Sequence, residues 1–310
     1  MSLREEQLLA LGRRLQVEGY RFVTVTPETH AFVDARVAAD ADVDLRHVFG
    51  WNRPFQREQL AADLFQLVCE ADVCRQLDDG RWQATIRFSS MNEQLFAHSG
   101  FPTSAADSVF FGPDSYRFVR AILPLLPRQG RLVDVGCGSG VGGILAAKQA
   151  PGLELVLGDI NPAALKMARV NASLAGVRAS VVHSDVLAGV SGAVDTIISN
   201  PPYMADAEHR TYRDGGGQHG TALSLRIVEQ ALERLRRNPR GGTLLMYTGS
   251  AVAQGGRDRF LEQLQPILRR RATDFSYEEL DPDVFPSQLA QPGYADVERI
   301  AVVLLQARVG

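Results

Sequence analysis

The sequence is short of lysine, cysteine and long apolar runs, and each shortage excludes something. Of 33 basic residues only Lys148 and Lys166 are lysines. That bias towards arginine carries no functional reading by itself. Cys69, Cys74 and Cys137 are too few and too irregularly spaced for a disulfide framework or a zinc site. No metal centre is expected, and free thiols point to a reducing compartment. No apolar run reaches the roughly 18 residues that a membrane-spanning helix needs. The start, Met1-Ser2-Leu3-Arg4-Glu5-Glu6, lacks a signal-peptide core. A cytoplasmic protein is expected. There is no internal repeat and no low-complexity tract. What is present is an ordinary globular composition: 310 residues, 45% apolar, 22% charged, formal net charge −3. That length suits one large or two modest domains.

Residues 1–98 read as a small helical or winged-helix-like domain. Leu8, Leu11 and Leu15 recur at helical spacing over 4–18, with Gly12 inside and Gly19 at the end. Thr26-Pro27 opens a second helix. A further helix is predicted over 56–73, and Asp78-Asp79-Gly80 is a turn. Residues 82–88 alternate as a strand, with 93–98 its partner after a break at Ser89-Ser90. Nucleic-acid binding rests on cationic neutralisation of phosphate. This stretch carries 15 acidic residues against 11 arginines. It lacks that footprint overall, which favours docking, a lid or dimerisation.

Residues 99–310 read as one α/β domain. The stretch 99–116 is a Pro-, Gly- and Ser-rich connection. Phe110 and Phe111 within it suit either a staple onto the second domain or a pocket wall. From 131 onward strands alternate with helices. Strands are predicted at 131–135, 153–157, 179–182, 194–198, 243–247, 275–280 and 297–306. Such alternation gives a mostly parallel sheet with helices on both faces. Residues 281–296, with three prolines, are no helical crossover, so the last pair is expected to be antiparallel.

The first of these strands runs into Asp134-x-Gly136-x-Gly138-x-Gly140. Glycines at a strand-to-helix turn let the backbone approach a ligand closely. Gly138, Gly140 and Gly143 also satisfy the dinucleotide pattern, so a dinucleotide and an adenosyl sulfonium compete. Three features favour the sulfonium cofactor, S-adenosylmethionine. Asp134 suits a cationic amino-acid end, whereas a pyrophosphate prefers bare backbone N–H groups. Asp159, ending the second strand, suits two ribose hydroxyls. Ser184-Asp185, ending the third, suits an adenine amino group. His183 reads as a packed strand histidine. His209 and His219 fall in the loop 204–220, which suits a lid or a solvated loop.

The fourth strand ends in Asn200-Pro201-Pro202-Tyr203. Two prolines fix φ and remove N–H donors, so the chain bends rigidly here. The Asn200 amide, an unpaired carbonyl and the flat Tyr203 ring suit a planar group carrying an NH2.

These segments resemble the successive motifs of class I methyltransferases: Val133-Asp134-Val135-Gly136-Cys137-Gly138-Ser139-Gly140, Gly158-Asp159-Ile160-Asn161 and Asn200-Pro201-Pro202-Tyr203. The Asn-Pro-Pro-Tyr form is similar to the amino-methylating branch, which includes HemK-type protein N5-glutamine methyltransferases and N6-adenine and N2-guanine enzymes. HemK resembles it more closely. Phe111-Gly112-Pro113-Asp114-Ser115 stands where that family has Arg-Pro-Glu-Thr-Glu. Gly216-Gly217-Gln218-His219-Gly220 resembles its Gly-Gly-x-Asp-Gly. Tyr247 stands in place of the glutamate late in its fifth strand. Residues 1–98 do not obviously resemble its helical bundle. The resemblance implies a Rossmann-like seven-stranded sheet that binds S-adenosylmethionine, Ile160 included in the site. It implies that the Asn200 oxygen and the Pro201 carbonyl accept the two N–H hydrogens of the acceptor. Pro202 would hold the bend and Tyr203 would stack on the planar group. The implied acceptor is a glutamine amide of a protein, release-factor-like. A nucleobase of RNA or DNA, or a small amino metabolite, is the alternative.

Overall fold

The computed structural model describes residues 1–37, 43–206 and 208–310. The N-terminal region is helical, as expected. It holds α1 (Leu3–Val17), α2 (Pro27–Asp34), α3 (Leu45–Phe49) and α4 (Ala62–Glu70). Two hairpins follow: β1 (Cys74–Gln76) with β2 (Trp82–Ala84), and β3 (Ile86–Met91) with β4 (Gln94–Ser99). Ser2 and Glu5 cap α1 reciprocally, and Thr26 caps α2. The helix expected over 56–73 shortens to a 3-10 turn at Arg57–Gln59 and then α4. The break expected at Ser89-Ser90 does not exist. Both serines are inside β3, and the chain reverses at Asn92-Glu93, where both residues have positive φ.

The hairpin β3–β4 packs inward and does not project as a wing. Phe88, Phe96 and Ala97 are fully buried.

The C-terminal region contributes α5 (Pro113–Ile122), β5 (Gln129–Val135), α6 (Val141–Gln149), β6 (Gly152–Asp159), α7 (Pro162–Leu174), β7 (Ala179–His183), β8 (Thr196–Ser199), α8 (Ala222–Arg236), β9 (Gly242–Ala253), β10 (Arg257–Asp258), α9 (Arg259–Arg271), β11 (Asp274–Asp281) and β12 (Val297–Val309). The sheet order is β11-β12-β9-β8-β5-β6-β7, with the short β10 folded back on β9. Strands β7, β6, β5, β8 and β9 are parallel. Strand β12 runs antiparallel to both of its neighbours. The expected antiparallel final pair is therefore present, with β12 inserted between β9 and β11. Residues alternate in β5: Leu132 joins the core under α5 and α6, while Val133 and Val135 join that under α8 and α9.

Helix α7 belongs to two cores. Ala168 and Ala172 face the sheet, while Ala164, Met167, Val170 and Leu174 face the N-terminal region. Gly12 accounts for the closeness of α1 to α7, since a Cβ there would lie 2.9 Å from the Leu174 side chain. Buried Asn171 adds a polar clasp. Its amide donates to the carbonyls of Ala97 and Ser139 at 2.9 and 2.8 Å and accepts from the Ala97 N–H at 2.7 Å. One side chain thus ties β4 to the loop that follows β5.

The chain changes direction across the sheet between β5 and β8, which is where open α/β sheets bind ligands. Val135 is level with Gly158 on one side and Ser199 on the other. The glycine loop, Asp159 and Asn200 therefore leave the sheet at one height.

Candidate active site

A cleft of about 170 Å³ opens at that switch point. Its walls include Asp134, Gly136, Gly138, Asp159, Ile160, Ser184, Asp185, Asn200, Pro201 and Pro202. Of the cofactor residues expected from the sequence, only Gly140 is off the wall. It has φ +80 and precedes α6, and a Cβ there would meet the core side chains of Ile144 and Leu157. Its role is the helix entry. Gly136 and Gly138 have φ +68 and +53, and a Cβ on either would stand in open space. Their need for glycine is conformational, and it leaves bare backbone on the cleft.

Two buried carboxylates lie beneath that backbone. Asp134 accepts one hydrogen bond, from the Gly143 N–H at 2.9 Å. Burial pushes its carboxyl up to about 7, against that single hydrogen bond and with the charge of Asp159 adding to the rise. Asp159 accepts from the N–H groups of Gly138 and Asn161, both at 2.8 Å. Burial raises it too, against those bonds. Each Asp159 oxygen retains acceptor capacity for a hydroxyl.

The two cofactor classes differ in charge, and the wall discriminates between them. A pyrophosphate would sit against two buried acids. A sulfonium with a free ammonium would relieve their uncompensated charge. The residues fit S-adenosylmethionine in this respect. Ile160 leaves 49% of its surface exposed, an apolar face that suits a planar base.

Ser184 and Asp185 lie on the wall but are already engaged. The Ser184 hydroxyl donates to the Val186 carbonyl and accepts from the Gly189 N–H, both at 2.9 Å. It builds a turn. Asp185 makes a bidentate pair with Arg226 at 3.0 and 2.6 Å. His183 is exposed, not packed as expected, because it ends β7 and its ring reaches the Ile160 carbonyl at 3.1 Å.

A second, smaller cavity of about 80 Å³ adjoins the cleft. Asn200, Pro201, Pro202, Phe110 and Tyr212 line both spaces. Asp114, Tyr203, Met204, Arg213 and Phe285 complete the smaller one. The Asn200 amide has no hydrogen-bond partner among the described residues. Phe110 and Tyr212 are parallel, centroids 5.9 Å apart. The two phenylalanines thus divide the two roles left open from the sequence. Phe110 is a wall, while Phe111 is buried against Phe96 and His98.

Tyr203 is buried, and its hydroxyl donates to Asp114. Its ring packs on β9 at Gly249, where a Cβ would lie 2.2 Å away. The described residues of the loop, 204–206 and 208–220, are braced by several contacts. Buried Asp206 pairs with Arg210, the Tyr212 hydroxyl donates to the Thr103 carbonyl, and the Thr211 N–H donates to the Ala106 carbonyl. His209 pairs with Asp214 at 2.6 Å, while buried His219 meets Asp296 at 3.2 Å and packs beside Tyr294.

Tyr212, Phe285, Tyr247 and the Asp114 contacts went unread in the sequence. The family comparison had marked the segment of Asp114 and the position of Tyr247, which was the available signal.

Residues 118–253 match the family model described as Methyltransferase small domain. The chain is 32% identical over 156 residues to a release factor glutamine methyltransferase of Koribacter versatilis, covering 46% of this chain and 55% of the relative. It is 42% identical over 85 residues to a ribosomal RNA small subunit methyltransferase C of Aeromonas hydrophila, covering 27% of this chain and 24% of the relative. Among solved structures, Trm5b from Pyrococcus abyssi has a TM-score of 0.50 at 18% identity, over 76% of this chain and 62% of that one. That likeness concerns the fold. The chain spans about half the length of the first relative and a quarter of the second. No helix among the described residues is long and apolar enough to cross a membrane.

Proposed function

We propose that this chain, whose residues 118–253 match the methyltransferase small domain model, is an S-adenosylmethionine-dependent N-methyltransferase acting on a planar NH2 group. The observation that carries the reading is the wall shared by cleft and cavity, with the unbonded Asn200 amide in it. The cofactor supplies an electrophilic methyl group when bound. Asp134 would hold its ammonium and Asp159 its ribose. Ile160 would cover its base, with Ser184 and Asp185 at the base edge and bare backbone at Gly136 and Gly138.

The chain's own contribution is to the nucleophile. An NH2 on a carbonyl or an aromatic ring is a poor nucleophile because its lone pair is delocalised. The strength of that delocalisation shows in an amide rotation barrier of about 18–20 kcal/mol. The Asn200 oxygen and the Pro201 carbonyl accept its two N–H hydrogens. Those bonds strengthen as the nitrogen turns tetrahedral and positive, so they favour the transition state. Pro201 and Pro202 keep both acceptors rigid, and the Tyr203 ring orients the planar group.

The first acceptor reading is a glutamine amide of a protein, supported by similarity to the release factor enzyme. A nucleobase is the second reading, favoured by the parallel Phe110 and Tyr212 rings at the cavity mouth and by similarity to the ribosomal RNA enzyme. We further assign residues 1–98 to an accessory region that presents the acceptor, and 99–310 to catalysis. Labelling cell extract with methyl-tritiated cofactor, then digesting with protease or nuclease, tests the acceptor. Label released by protease supports the amide. Label that survives protease and vanishes with nuclease replaces it with the base.

A further inference from the structure

Side chains from α5, β9 and β11 converge behind the Asn200–Tyr203 bend. Asp114 sits in the first turn of α5 with 5% of its surface exposed. Its Oδ2 accepts from the Tyr203 hydroxyl, and its Oδ1 accepts from the Tyr247 hydroxyl at 3.2 Å. Arg117, one turn on, reaches Oδ1 at 3.3 Å and extends its other nitrogen to Asp281 on β11 at 3.2 Å. Tyr247 is fully buried in β9. On the same strand, Gly249 lies against the Cδ2–Cε2 side of the Tyr203 ring.

A buried carboxylate is retained in a core only at a cost unless hydrogen bonds and charge compensate it. Two phenols and one guanidinium offset part of that cost here, although burial still raises the carboxyl, and nothing in the packing alone demands them. Phenylalanine at 203 or 247 and asparagine at 114 would keep the shape. The arrangement instead fixes the Tyr203 ring from two sides, Gly249 at its edge and Asp114 at its hydroxyl. Because Pro202 is stiff, fixing the ring fixes the bend that carries Asn200.

We propose that Asp114 and Tyr247 are positioning residues. They lock Tyr203, and through it the Asn200-Pro201-Pro202 bend, in the orientation the acceptor needs. The Tyr203 hydroxyl is thereby a structural tether, and its ring face is the part offered to the acceptor. This rests on the N-methyltransferase reading above.

The test compares Asp114→Asn, Tyr203→Phe and the double variant. Cofactor affinity is read by calorimetry, and tritium transfer from methyl-labelled S-adenosylmethionine is read with the extract fraction that wild type labels. Each single variant should bind cofactor within about twofold of wild type. A misplacement of about 1 Å can cost roughly a hundredfold in rate, so transfer should fall about 10–100-fold. The double variant should be no slower than the slower single, because both changes break one link. Tyr247→Phe should lose less and should keep the Tyr203 tether. Transfer by the Asp114→Asn chain at the wild-type rate would overturn the proposal. Losses that multiply in the double variant would also overturn it. If Asp114→Asn does not fold, Tyr203→Phe and Tyr247→Phe, each lacking one hydroxyl, still decide it: full activity in both refutes the lock. A wild-type chain that binds cofactor and labels nothing would count against the functional reading itself, and is thereby distinguished from failure of the lock.

Discussion

The larger cleft, proposed for the cofactor, and the smaller cavity, proposed for the acceptor, share a wall but are built by different means. The cleft is made of strand ends taken in chain order, Asp134, Asp159, Ser184 and Asn200, each with its chemistry in the residue itself. The cavity is assembled from separated segments: Phe110 and Asp114 from the connection and α5, Tyr203 and Tyr212 from one loop, and Phe285 from the stretch before β12. The first depends on backbone geometry and buried charge. The second depends on side chains meeting across long sequence separations. The difference teaches why the donor is easy to infer and the acceptor hard: a common donor needs a fixed frame, whereas acceptor shape is set by tertiary contacts.

On cofactor binding, the largest expected effect separates charge in the cleft from stability. Asp134→Asn keeps the shape and removes the anion proposed to face the ammonium. A charged hydrogen bond is worth roughly 1.5–3 kcal/mol, so S-adenosylmethionine affinity should fall about 10–100-fold by calorimetry. The pH dependence follows from the raised carboxyl, at about 7 in the fold against 3.8 as the ordinary value. Between those values the folded chain binds the extra proton. The stability contributed by Asp134 is therefore fully present below about 4 and lost as pH rises through about 7. Cofactor binding should have the opposite slope, tightening as pH rises through 7. Asp134→Asn should remove the Asp134 share of both slopes and leave that of the other shifted groups, Asp159 among them, as read by denaturant melts and calorimetry across pH 5–8.

On stability, the larger effect belongs to the clasp between the two regions. Asn171→Ala strands the Ala97 N–H and two carbonyls in the core. Each unsatisfied buried group costs about 1–3 kcal/mol, and partial relaxation should leave a net loss of about 2–4 kcal/mol in urea melts. A loss below 1 kcal/mol would mean that the clasp adds little to the apolar packing and to the Arg169–Glu5 pair that also hold the N-terminal region. Gly138→Ala should cost about 1–2 kcal/mol, since φ +53 is left-handed backbone. Its Cβ would also enter the cleft, so cofactor affinity should fall as well. His183→Ala is the smallest: an exposed ring at a strand end should change stability by under about 0.5 kcal/mol and leave binding intact.

Much of this was legible beforehand, and the exceptions share causes. Alternating strands and helices and the antiparallel last pair follow from local pattern. Local pattern misled where burial overrode it. Ser89 and Ser90 look like a break yet run through β3, because Ser89 bonds His98 and Thr24 within the core. Gly140 matched a ligand motif although its neighbours are core side chains. His183 looked like core and is not. Gly12 lowered the helical signal of α1 for a reason only α7 supplies. The Asp114 node was beyond local reading altogether, because its partners lie 89 and 133 residues away.

The central claim is that the two spaces do separate jobs across one wall. The direct measurement takes a single preparation of Asn200→Ala, titrates S-adenosylmethionine by calorimetry and assays tritium transfer to the fraction that wild type labels. The account predicts affinity within about threefold of wild type and transfer reduced by about 10²–10³-fold, the usual scale for losing one preorganised transition-state contact. Transfer at the wild-type rate, or loss of cofactor affinity in step with transfer, would contradict it.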